Sequence, residues 1–167
     1  MEVESAFRRA LLASSAVTGY VQQAVWKFRL EDHVDGQGTR AVVLYRDGGW
    51  AAPNDMNTPE FPLLTVECWA DCTRNHVAGR ATEKAAEDAI DNAYALYRVV
   101  DAVLHPMPRG LRWGAVGSDP GLLVVGGQRW SEPSHYDATR GDGFGRQFGE
   151  AAMVRATYAL QVSHGRD

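Results

Sequence analysis

Residues able to do chemistry are present in this chain, but their spacing does not assemble them. The five histidines, His33, His76, His105, His135 and His164, are scattered, and none is followed by a second His or Cys at i+3 or i+4. Zinc sites draw ligands from that short spacing, so no metal site is expected. Gly141-Asp142-Gly143-Phe144-Gly145 has the glycine density of a phosphate-cradling loop. It lacks the Lys-Ser/Thr ending of a P-loop and leads toward a strand, whereas phosphate binding uses a helix N-terminus. A hairpin loop is the simpler reading. Arg140-Gly141-Asp142 matches a cell-adhesion tripeptide, at a length where chance suffices. Ser134-His135-Tyr136-Asp137 has the residue types of a nucleophilic triad, yet a triad is defined by geometry that loop neighbours do not provide. No Gly-x-Ser-x-Gly elbow occurs. Glu83, Glu87, Asp88 and Asp91 share a helical stretch and read as its solvated face, not as paired acids in a hydrolytic cleft. No catalytic residue, metal or cofactor is assigned, and the expectation is a protein that is not an enzyme.

What remains is a set of large side chains in segments that read as loops. Trp50, Met56 and Phe61 lie in residues 47–62, which carry Gly48, Gly49, Pro53, Asn54, Asp55, Asn57, Pro59 and Pro62. Trp130, at the end of an apolar run, is followed by Tyr136, Phe144 and Phe148 with Arg140 and Arg146 in residues 131–150. Aromatics and arginine are enriched at interface hot spots. Such side chains either dock on partners or fold back as satellite clusters. The glycines of 137–149 favour docking, because a glycine-rich segment has much entropy to lose and a partner can fix it. The candidate subunit or partner interface is therefore Trp50, Met56, Trp130, Tyr136, Arg140, Phe144, Arg146 and Phe148.

These segments need elements to position them. Val3, Phe7, Ala10, Leu11 and Ser14 share a helical face over about residues 2–14, with Glu2 and Glu4 early and Arg8 and Arg9 later. Ser14-Ser15 and Thr18-Gly19 read as the break after it. Residues 24–30 alternate Trp26, Phe28 and Leu30 with Lys27 and Arg29. Residues 40–46 alternate Ala41, Val43 and Tyr45 with Val42, Leu44 and Arg46. With Asp35-Gly36-Gln37-Gly38 as a turn between them, the two runs predict a hairpin. A third strand spans 63–70, with Leu64, Val66, Cys68 and Ala70 on one face and Thr65, Glu67 and Trp69 on the other. The strongest helix signal ends at Leu104: Ala86, Ile90, Ala93, Tyr97, Val100 and Leu104 form a stripe, while Glu87, Asp91, Arg98 and Asp101 stay off it. His105-Pro106 stops it. Its apolar face, about 35 Å long, can cover a sheet. Strands near 122–130 and over 151–163 complete the set, the latter with Ala152, Val154, Ala156, Tyr158, Leu160 and Val162 facing the core.

Strands with few, segregated helices predict an α+β fold: a mostly antiparallel sheet of about five strands, a long helix on one face and a short N-terminal helix. One domain over 1–167, with long loops at 47–62 and 131–150, fits the length. Apolar residues at 45% and charged residues at 23% are ordinary globular usage and exclude disorder of the whole chain. The net charge of −4 argues against a nucleic-acid reader, though not against a protein through which DNA passes. Met1-Glu2-Val3-Glu4 is acidic where a secretory signal would be basic, and no apolar run approaches membrane-spanning length. Cys68 and Cys72, on an extended segment, would have Cα atoms about 13 Å apart, beyond disulfide reach. Reduced cytoplasmic thiols are expected.

The layout resembles the tail terminator family, the minor tail proteins that cap the tail tube of long-tailed bacteriophages. The resemblance lies in the short helix within Val3–Ala13, the predicted hairpin, the strand Pro62–Ala70 followed by a helix of the type Ala85-Ala86-Glu87-Asp88-Ala89-Ile90, and the last strand Arg155–Val162. It covers nearly the full chain as layout and residue texture, without a signature motif, and residues 131–150 are more elaborate than the family suggests. The resemblance implies a structural virion protein, assembled in the host cytoplasm, forming a hexameric ring with itself. It implies tail tube protein and a head–tail connector protein as partners, with DNA passing through the lumen without sequence-specific binding and no membrane. Another neck component, a head-closure or connector-completion protein, is the nearest alternative. A small enzyme with an unrecognised cleft is a further one.

Overall fold

The structure, a computed structural model, describes residues 3–27, 40–50, 61–71, 83–105, 122–137 and 151–164. The N-terminal stripe forms α1, Val3–Ala13, which buries Val3, Ala6, Phe7, Ala10 and Leu11. Full burial of Phe7 and Leu11 contributes about 1.5–3 kcal/mol each relative to exposure. Ser14 does not end helical structure as its type suggests. It caps a second helix, α2, Ser15–Val21, accepting from Val17 N–H at 3.4 Å. The same hydroxyl chemistry that makes serine a breaker makes it an N-cap, and only the following residues decide between them. Val17 and Val21 then reach the core.

Strand β1, Val25–Lys27, lies beside β2, Ala41–Trp50, in parallel, with Val25 opposite Val42 and Lys27 opposite Leu44. The predicted hairpin is therefore wrong in direction. Alternation fixes which side chains share a face but is identical for either polarity, and a parallel pair needs a longer return than a tight turn. The turn residues 35–38 lie outside the described residues. Face assignment in β1 also differs: Val25 enters the main core, whereas Trp26 joins a cluster on the opposite face and Lys27 Nζ donates to Ser5 Oγ on α1.

The antiparallel partner of β2 is β3, Phe61–Asp71, and both strands run further than their glycines and prolines suggest. A register shift between Arg46 and Gly49 absorbs Gly48 and Gly49, at φ 89° and 105°. A Cβ on Gly49 would fall inside the contact distance of Phe61 O and Pro62 Cα, so the close approach of the strands requires glycine there. Residues 47–50 and 61–62 are thus strand, where a loop was expected.

The long helix is α3, Glu83–Leu104, and it buries Ala93, Leu96, Tyr97, Val100 and Leu104 as the stripe predicts. Strand β4 spans Leu122–Arg129, β5 Ser134–Asp137 and β6 Ala151–His164. The sheet runs β1-β2-β3-β6-β4, with β5 also on β6. Every pairing except β1–β2 is antiparallel, which bears out the expected α+β class. Strand β5 was not foreseen; it sits inside the segment read as a loop, paired from Ser134 opposite Arg155 to Asp137 opposite Ala152. Helices and one sheet face share the main core, built on Val42, Leu44, Leu64, Val66, Val154, Tyr158 and Leu160. Ala41, Val43, Trp69 and Met153 form a second, smaller cluster on the other face.

Candidate functional site

Among the described residues, two carboxylates each gather three donor side chains. Glu67 lies mid-strand on the sheet face away from the helices. Its Oε1 accepts from Tyr45 O–H at 3.0 Å and from Arg155 Nη2 and Nε at 2.7 and 3.2 Å. Its Oε2 accepts from Trp69 Nε1 at 3.1 Å. Strand register explains the convergence: Val43 and Arg155 both lie opposite Glu67, and Tyr45 and Trp69 are two residues away on the same face. Burial, then the neighbouring Glu67 charge and its hydrogen bond, push the Tyr45 phenol well above its ordinary range.

Asp101 occupies the seam between α3 and the sheet. Its Oδ1 accepts from Tyr158 O–H at 2.6 Å and Tyr97 O–H at 3.2 Å, and its Oδ2 from Arg129 Nη1 at 3.4 Å. Arg129 also donates to Tyr97 Oη at 2.9 Å. Burial and the bond to Asp101 drive the Tyr158 phenol far up, and burial raises Tyr97 too. Asp101 was expected off the helix's apolar stripe; it stands at that stripe's edge and reaches the core tyrosine. Both oxygens of each carboxylate are occupied by protein donors. Both centres thus act as cross-links: one ties strands together, the other ties a helix to the sheet.

The triad-like run fails on geometry. Ser134, His135, Tyr136 and Asp137 are consecutive strand residues, so Ser134 and His135 point to opposite sides of β5. His135 Nδ1 meets Tyr94 Oη of α3 at 3.3 Å, with the rings edge-to-face at 5.9 Å. Among the described residues no three His, Cys, Asp or Glu side chains gather as a metal-ligand group. Cys68 is buried and reduced, and burial raises its thiol far above the usual range. Cys72 lies outside the described residues. No described helix is long and apolar enough to cross a membrane.

Of the predicted interface residues, Trp130 is 64% exposed, at the break between β4 and β5. Its backbone N–H donates to Thr157 O at 2.7 Å, and Arg129 beside it is tied to α3, so both backbone and neighbour hold the indole outward. Tyr136 lies on β5 opposite Met153, and Trp50 ends β2 opposite Phe61; both are strand residues, not loop residues. Phe61 is 41% exposed. The topology places Trp50 and Trp130 on opposite sides of the β3–β6 pair, so these two do not form one patch. Met56, Arg140, Phe144, Arg146 and Phe148 lie outside the described residues. Sequence reasoning missed the Glu67 and Asp101 centres. The Tyr97–Asp101 spacing of four was a readable signal; the strand register that completes each centre was not.

The fold and these centres define an α+β protein, one sheet with helices on one face, in which the Glu67 and Asp101 centres of the described residues serve as internal cross-links. No protein-family model matches the chain, and no curated protein matches it. Among solved structures, a chain of the virion of a native gene transfer agent (GTA) particle has a similar fold. Its TM-score is 0.61 at 15% identity, covering 98% of this chain and 95% of that one.

Proposed function

We propose that the chain is a structural virion protein that caps a phage-type tail tube: a hexameric ring that ends tube polymerisation and offers the joining surface for the head connector. The observation that carries this reading is the near end-to-end fold similarity to a virion chain, over 98% of this sequence. It is supported by the layout shared with the tail terminator family. The proposal includes one domain over 1–167, no catalytic role, and partners that are the chain itself, tail tube protein and a connector. DNA passes through the lumen. Trp50, Met56, Trp130, Tyr136, Arg140, Phe144, Arg146 and Phe148 are the proposed contacts. The Glu67 and Asp101 centres favour a structural role over hydrolysis, because each oxygen of both carboxylates already accepts from a protein donor within the fold.

Assembly without the protein tests this directly. Tails that grow past their normal length, with regular length restored on adding it back, are the expected outcome. Tails of normal length beside unattached, leaking heads would reassign the protein to head closure. Removing residues 137–147 tests the contacts: capping should be lost, and retained rings and capping would overturn that part.

A further inference from the structure

The two edges of the sheet differ in chemistry, and the difference bears on how one copy meets the next. At the β1 edge the backbone of Val25 is closed. Val42 N–H donates to Ala24 O, so in this parallel pair the groups of Val25 face outward. Both are taken: Val25 N–H donates to Gln23 O at 2.8 Å, and Val25 O accepts Arg8 Nε at 2.6 Å. A further strand pairing at Val25 would have to displace Arg8, which favours contact through side chains at this edge. Those side chains are basic. Among the described residues, α1, β1, β2 and Arg40 beside it carry Arg8, Arg9, Lys27, Arg40 and Arg46 against Glu4 and Asp47, and Glu4 is buried, accepting from Arg46 N–H at 3.1 Å.

The opposite edge carries an exposed aromatic ring and exposed acids. Trp130 presents its indole with Glu132 exposed two residues on, and Asp91 is exposed on α3 one turn from Tyr94, which touches β5. Arg129 is bound to Tyr97 and Asp101, and the nearby Glu132 charge is the weakest of the influences that hold it protonated, so that acid still has room for a second cation. An aromatic face beside a carboxylate attracts arginine or lysine through its quadrupole and its charge. The molecule uses this chemistry internally, with Arg8 6.0 Å from the Trp26 ring centre.

We infer that Trp130 and Glu132 of one copy receive a cationic side chain from the α1–β1–β2 edge of the next, a head-to-tail contact between opposite sheet edges. This deepens the ring reading and rests on it. The repeated contact is heterologous and closes by rotation. Because it is electrostatic at its rim, it weakens with salt.

Sedimentation of the full chain over a concentration series, at low and high salt, tests it. Self-association should weaken at least about tenfold in high salt, and Glu132→Lys, Arg46→Glu and Arg40→Glu should each weaken it by a similar factor. Glu132→Lys combined in one chain with Arg46→Glu or Arg40→Glu should recover most of the loss. Trp130→Ala should weaken it without recovery, while melting curves confirm that every variant folds. Association indifferent to all the reversals, or no recovery in either swap, overturns the contact while leaving a ring formed some other way. A chain that stays monomeric at every concentration also overturns it. Normal salt-sensitive association with recovery, in a protein that fails to cap tubes, upholds the contact and sinks the capping role.

Discussion

Glu67 and Asp101 are built from similar parts, a carboxylate with tyrosine and arginine donors, yet they sit in different surroundings. Around Asp101 the tyrosines are deep: Tyr158 is 1% exposed and Tyr97 5% exposed. Around Glu67 the partners are closer to water: the Arg155 side chain is 50% exposed and Tyr45 is half-buried, with Trp69 the deep member. The same number of donor side chains, three at each acid, therefore implies different consequences when the acid is lost. A donor that can turn to water forfeits little, whereas a buried one keeps its full desolvation penalty. What the pair teaches is that the depth of the partners, more than that of the acid, sets the strength of a cross-link.

The sharpest break of that comparison comes from removing the acids. Asp101→Ala should destabilise by about 3 kcal/mol, since it strands two buried hydroxyls and Arg129 and loosens α3 from the sheet. Glu67→Ala should cost about 2 kcal/mol, because only the Trp69 N–H is left with nowhere to turn. Both are read from the midpoint and slope of chemical denaturation. Equal losses, or the reverse order, would mean that partner depth does not govern them.

How far these centres were legible in the sequence follows from the range of the interactions. Local periodicity located α1, α3, β3 and β6 and their faces, because apolar stripes need no partner to be read. Polarity and pairing were not local. The alternation in 24–30 could not say that β1 runs parallel to β2, and the glycines at 48 and 49 concealed a bulge that lets two strands continue. Ser134–Asp137 reads as loop because it belongs to a long segment, 131–150, carrying glycines and charges; tertiary pairing with β6 makes it a strand. Each acid centre joins residues far apart in the chain, such as Glu67 and Arg155 or Asp101 and Tyr158, and needs the register before it can be seen. Of the proposed contact residues, the described ones show one exposed anchor, Trp130, and two aromatics placed on strands.

A second contrast uses pH. Tyr158, Tyr97 and Tyr45 all have phenols raised above their ordinary range, the first most strongly, by burial and then by the bond to Asp101. A raised folded-state value means the folded chain holds its proton where the unfolded chain has lost it. The stabilisation is thus complete below the ordinary phenol range, near 10, and declines as pH rises above it. Cys68, raised in the same direction, starts that decline near 8.5. Tyr158 alone should contribute a slope approaching about 1.4 kcal/mol per pH unit above 10, and Tyr158→Phe should remove it. The neutral-pH loss for that variant should be about 1.5 kcal/mol, from the bond to Asp101. Tyr45→Phe should flatten the alkaline decline less, because water screens its half-buried phenol. Stability profiles of the two variants between neutral pH and 11 decide the matter.

The smallest effect is the most specific to the comparison. The Arg155–Glu67 pair has the shorter contact, 2.7 Å against 3.4 Å for Arg129–Asp101. Distance alone would rank it the stronger. Yet Arg155 is half in water, where an ion pair contributes little, and Tyr45 and Trp69 still satisfy Glu67 when the guanidinium is gone. Arg155→Ala should therefore change stability by no more than about 0.5 kcal/mol. Arg129→Ala should cost about 1 kcal/mol, because it also removes the donor to the buried Tyr97 hydroxyl. Double-mutant cycles with Glu67→Gln and Asp101→Asn isolate the two pair terms. A larger coupling at Arg155 than at Arg129 would show that contact length outweighs partner burial, and the ordering argued for the two acids would then have to be reversed as well.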